Sequence, residues 1–133
     1  MRRGASRLTV LLSAAAVTAA CSVPPEQPIV ADFFAASRLR DTTALARFAT
    51  TVFEPREQGV VESFEIERTS GDKTLKEVLI RAVVLNGDGR AGERRLVVTL
   101  QKRQGADDPR ALYGGWIVIG VTDAAGSRAV PRP

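Results

Sequence analysis

The chain has 133 residues, 44% of them hydrophobic and 26% charged, with 19 basic and 15 acidic residues, one cysteine and no histidine. Without histidine there is no Ser-His-Asp triad, no usual catalytic zinc site and no access to the commonest general base. A lone cysteine leaves no internal disulfide in a monomer, so any enzyme chemistry would fall to carboxylates, lysines or Tyr113, and nothing in the sequence asks for a cofactor or a metal.

The first element is a leader. Arg2, Arg3 and Arg7 form a positive stretch, and Leu8 to Ala20 is uncharged, weighted by Leu8, Val10, Leu11, Leu12 and Val17. That run is shorter than the roughly 20 residues a spanning helix needs. It suits the apolar region of an export signal, about 7–15 residues closing on small side chains. Val17-Thr18-Ala19-Ala20-Cys21 resembles the cleavage region of a bacterial lipoprotein signal peptide, which implies a cut before Cys21 and a lipid (palmitate among its acyl chains) on that residue. Thr18 stands where the pattern usually has an aliphatic side chain. The alternative is ordinary secretion with an unmodified cysteine. The expected location is the bacterial cell envelope, on the periplasmic side. Ser22 offers no acidic inner-membrane retention signal, which favours the outer membrane where one exists. Loss of residues 1–20 removes three arginines and no acid, leaving 16 basic against 15 acidic residues. The pI near 10.0 therefore belongs partly to the leader, and a near-neutral exported domain is not expected to bind nucleic acid.

The sequence divides into the leader (1–20), a lipidated tether (21–27), an α+β domain (28–123) and a tail (124–133). Ser22 to Gln27 holds two prolines and reads as a spacer. Pro28 suits a first helical turn, and Ile29, Val30, Phe33, Phe34 and Ser37 follow at helical spacing. Asp41 or Thr42 can cap a second helix with Leu45, Phe48, Ala49 and Val52 as its stripe and Pro55 as its limit. Four strands are expected next: Val60–Arg68, Thr74–Asn86, Glu93–Arg103 and Ala111–Asp123. They are separated by the turn Thr69–Lys73, the hairpin Asn86-Gly87-Asp88-Gly89 and the polar loop Gln104–Pro109. Consecutive strands joined by turns make an antiparallel sheet, and two helices packed on a curved sheet of this kind form a two-layer α+β domain. Several strand centres are apolar on both faces. The helices can cover only one, so the second face is expected to be buried by the sheet's own curl, by a copy of the chain or by a protein partner.

Val30-Ala31-Asp32-Phe33-Phe34, then Arg40-Asp41 and Ala44-Leu45, with Gly114-Gly115-Trp116-Ile117-Val118 near the end, resemble the opening helices and last strand of the nuclear-transport-factor-2-like superfamily, which includes ketosteroid-isomerase-like and cystatin-like cone domains. The resemblance implies a sheet wrapped round a helix, often around an apolar pocket, in enzymes, ligand binders and interaction modules alike. Phe33, Phe34, Phe48, Phe64, Tyr113 and Trp116 are the candidate pocket lining, or simply the core. The isomerase-like members use an inward carboxylate and a tyrosine, and Glu62 with Tyr113 is the pair here that could play those parts. Glu65 and Glu67 lie opposite Phe64 and Ile66, on a solvated face. Gly87-Asp88-Gly89-Arg90-Ala91-Gly92 fits the letters of G-x-G-x-x-G. A strand and not a helix follows it, which removes the phosphate site. Val84 and Arg95 occupy the anchoring positions of a calcium loop, which removes that reading too. Arg90, Arg94 and Arg95 read as a solvated strand end. The expectation is a lipid-anchored, non-catalytic interaction module of the envelope. The alternatives are a binder of a small apolar ligand and, further behind, a cofactor-independent isomerase or lyase.

Overall fold

Helix α1 (Gln27–Leu39) turns Ile29, Val30, Phe33, Phe34, Ala36 and Ser37 inward, with proline in its first turn. It closes at Arg40 in the left-handed conformation (φ 52). The Arg40 N–H donates to Ser37 O and the Asp41 N–H to Ala36 O, the paired bonds of a Schellman-type end. Helix α2 (Thr42–Phe48) starts on Asp41, whose Oδ1 accepts from the Ala44 N–H at 3.0 Å. This is a computed structural model, and it describes residues 23–103 and 111–124. The leader, Cys21, Ser22, the loop 104–110 and the tail from residue 125 lie outside the described residues.

Four strands follow the helices: β1 (Val60–Gly71), β2 (Leu75–Leu85), β3 (Ala91–Lys102) and β4 (Trp116–Asp123). They form one antiparallel sheet in the order β1-β2-β3-β4. The α+β arrangement expected from the sequence, helices first and strands after, is the one observed. On the helix side, Val78, Ile80, Ala82 and Val84 of β2 alternate inward beside Leu96, Val98 and Leu100 of β3 and Val118 of β4. With Ile29, Val30 and Phe33 of α1 they are almost fully buried, each side chain larger than alanine contributing about 1.5–3 kcal/mol of transfer free energy.

Three boundaries differ from the sequence reading by three residues or more, and those of β2 and β3 by one or two. Strand β1 continues past Arg68 to Gly71, and the turn is confined to Asp72–Thr74, where Asp72 Oδ1 accepts from the N–H groups of Thr74 and Leu75. Helix α2 stops at Phe48, well before Pro55. Ala49 swings to extended backbone and bridges Val118 in parallel, with Thr50 N–H donating to Val118 O at 2.9 Å. Val52, assigned to the helical stripe, is consequently exposed. Strand β4 begins at Trp116 and not at Ala111. Tyr113 (φ 53) and Gly114 (φ 64) turn left-handed inside a 3-10 segment (Leu112–Gly115), two successive residues outside the extended region of a regular strand. A further difference lies at the tether: Glu26 is buried, and Gln27 already opens α1.

The second face of the sheet carries the other phase. In register across it run Arg68, Leu79, Val97 and Thr122; Glu65, Arg81 and Arg95; Ser63, Val83 and Glu93; and Leu75, Gln101 and Ile117. Neither helix covers these residues. Leu79, Val83, Val97 and Ile117 are half-buried by their own neighbours.

Candidate functional site

The six aromatic candidates go to three places. Phe33 and Phe48 are core. Phe34 meets Phe33, Phe53 and Phe64 at ring-centroid distances of 5.2, 5.4 and 6.0 Å, and with Phe64 it floors a groove between α1 and β1. Tyr113 and Trp116 line a separate pocket near the N-terminus of α1. Phe53, buried at 2% exposure, was missed by the sequence reading because it lies in an irregular segment with no periodicity to expose it.

The groove encloses about 670 Å³ between Gln27, Ala31, Phe34, Ala35, Arg38 and Leu39 on α1 and Val61, Glu62, Ser63 and Phe64 on β1. It exists because β1 is an edge strand and α1 leaves its inner face half-covered. Pairing shifts between Val61 and Ser63, so Glu62 is the extra residue of a bulge and sits exposed at the rim. Such bulges bend an edge strand and hinder pairing with another strand.

The pocket is smaller, about 340 Å³, and is lined by Pro25, Glu26, Pro28, Ile29, Lys76, Leu100, Tyr113, Gly114 and Trp116. Lys76 is its centre. It shares the inward phase of Val78 and Ile80 on β2, and its Nζ lies 3.2 Å from Glu26 Oε1 and 4.5 Å from the centroid of the Trp116 ring. Pairing with a carboxylate and an aromatic face is what lets a lysine lie partly buried. The phase of Lys76 was readable in the sequence. The partnership with Glu26 was not, because Pro24-Pro25-Glu26 gives no sign that the chain doubles back onto the sheet. Tyr113 packs edge-on against Phe48 with centroids 5.4 Å apart, and its hydroxyl donates to Asp32 Oδ2 on α1. Burial, then the Asp32 carboxylate, pushes the Tyr113 pKa up from 10.0 to about 12.

Glu62 and Tyr113 stand at opposite margins of the sheet, Glu62 on the β1 edge and Tyr113 just ahead of β4. The geometry does not bring the pair together. Glu67 is spent on two arginines of the second face, with Arg95 Nη2 at 2.7 Å and Arg81 Nε at 3.1 Å. The Arg95 guanidinium, and then Arg81, hold the Glu67 carboxyl below its usual value. Arg94 reaches Asp123 at 3.0 Å and Gln58 O at 2.9 Å, so of Arg90, Arg94 and Arg95 at this strand end, Arg94 and Arg95 are engaged in bonds. The glycine-rich hexapeptide forms the β2–β3 hairpin, in which only Gly89 (φ 82) is left-handed among its glycines.

Among the described residues no three or more acidic or cysteine side chains are grouped as metal ligands, and no helix is long and apolar enough to cross a membrane. No known protein family, curated protein or solved structure matches the chain.

Proposed function

We propose that this chain is a lipid-anchored interaction domain of the bacterial cell envelope, working by binding a protein through the second face of its sheet and not by catalysis. The observation that carries this reading is the division of labour in the sheet. The helix side holds the almost fully buried core of β2, β3 and β4, while Leu79, Val83, Val97 and Ile117 line the other face with no helix over them. Glu67, Arg81, Glu93 and Arg95 cross the middle of that face as paired charges, with Glu65 beside them in register, the mixture of apolar and polar groups found in non-obligate interfaces. Affinity capture of the chain from detergent-solubilised membranes tests it, with Leu79→Asp and Val97→Asp as controls. A stoichiometric partner, or a second copy of the chain, that both variants lose is the expected result. Capture that is insensitive to both variants would remove the sheet face from the proposal. The anchor has its own test. Cys21→Ser should abolish fatty-acid labelling and release the protein from membranes, and unchanged retention would place the anchor elsewhere.

A second reading rests on the pocket around Lys76. Its volume lies within the range of small-ligand sites, and its lining combines apolar walls with a charge pair. Native mass spectrometry of the purified protein should reveal a co-purified amphipathic molecule if this pocket is the functional one.

A further inference from the structure

The strands are antiparallel, so the end of β1, the start of β2, the end of β3 and the start of β4 share one end of the sheet. The N-terminus of α1 reaches the same end, because Glu26 pairs with Lys76 and Pro25 lines the pocket beside Trp116. Three of the five exposed large hydrophobic side chains of the described residues gather here: Val23 at 68% exposure, Leu75 at 43% and Leu112 at 41%. Around them stand Lys73, Lys102 and Arg103, none of which has an ion-pair partner among the described residues. Of the described acids near this end, Glu26 is paired with Lys76, Asp72 caps its own turn, and Glu77 is exposed on the second face. Trp116 and Tyr113, aromatic side chains with one polar edge, complete the surface.

We infer that this end of the domain lies against an anionic phospholipid surface, with Val23, Leu75 and Leu112 at the headgroup boundary and Lys73, Lys102 and Arg103 facing lipid phosphates. Apolar and aromatic side chains ringed by basic ones are the pattern of interfacial binding. The orientation rests on the proposed anchor: Cys21 is two residues from Val23, and two residues of extended chain reach at most about 7 Å. A lipid on Cys21 therefore brings this end, and no other, to the membrane. Charge and anchor act on the same face. The spacer expected from the sequence is short, since the chain is docked from Pro25 onward, and the opposite end with the β2–β3 hairpin points away from the bilayer.

Trp116 is the only tryptophan in the chain, so its fluorescence reports on this end alone. The exported, processed protein is purified from membranes and placed on phosphatidylcholine vesicles with or without phosphatidylglycerol. On anionic vesicles Trp116 should shift to the blue, be quenched by brominated lipid and be shielded from aqueous quencher. Added salt should weaken all three effects. Lys102→Gln and Arg103→Gln should each lower the fraction shielded, by about fivefold in the underlying equilibrium. Equal shielding on both vesicle types, or none on either, overturns the inference. Fatty-acid labelling of Cys21, measured on the same sample, reports the anchor separately. Where the label is missing, titration of the unanchored protein with the two vesicle types still decides the face.

Discussion

The Ser37 hydroxyl accepts a hydrogen bond at 3.1 Å from the Phe53 N–H inside the core, tying α1 to the irregular stretch that returns toward β1. Ser37→Ala leaves that N–H without an acceptor, which costs about 1–3 kcal/mol. Urea unfolding should show a lower midpoint at an unchanged slope. Glycines separate into those the backbone requires and those it does not. At Gly71 (φ +122) a Cβ would stand 2.2 Å from Leu75 O, so Gly71→Ala should destabilise by about 2 kcal/mol or more. At Gly87 nothing lies within 4 Å and φ is not left-handed, so Gly87→Ala should be neutral or slightly stabilising. Thermal melts of the two variants should differ accordingly. Tyr113 is the only tyrosine, and its ultraviolet titration should centre near 12 in the fold and near 10 once unfolded. The raised value means that the fold favours the protonated phenol. Its contribution to stability is therefore complete below pH 10 and lost as pH rises through about 12, and Asp32→Asn should bring the folded midpoint back toward 10. The sequence marked Tyr113 and Trp116 as notable. It could not pair them with Lys76 and Glu26, because that pairing depends on where the chain before α1 comes to rest.

Helix α2 has seven residues, too few to persist in isolation. It is held by the Asp41 cap at one end and by the bond from Thr50 to Val118 at the other. Asp41→Ala should cost about 1 kcal/mol, readable as an earlier loss of helical circular dichroism on heating. What sequence alone revealed of each element follows the locality of its cause. Pro28 announced the start of α1, and Asn86-Gly87-Asp88-Gly89 announced its hairpin, because turn chemistry is local. The end of α2 is set by a contact with a strand far along the chain, and no nearby residue records it. The start of β4 is set by a left-handed tyrosine, a conformation rare outside glycine and asparagine, so Ala111–Gly115 read as strand.

The whole molecule is a sheet with one face finished and one face open, joined at one end by the incoming chain. Phe33→Ala should cost about 3–5 kcal/mol because the cavity falls at the centre of the finished face, a large share of the total for a domain of this size. Leu79→Asp on the open face should leave the melting temperature within a few degrees and change only what the protein captures. The fold class was legible because hydrophobic period changes from helical to alternating after Pro55. The function was less so, because both readings of the aromatic residues, core and pocket, obey the same pattern. The bridge between Ala49 and Val118 also sets a timetable. Both helices are made first, yet α2 finds its seat only when β4, the last strand, has arrived. In a chain emerging N-terminus first from a ribosome, this contact is among the last to form.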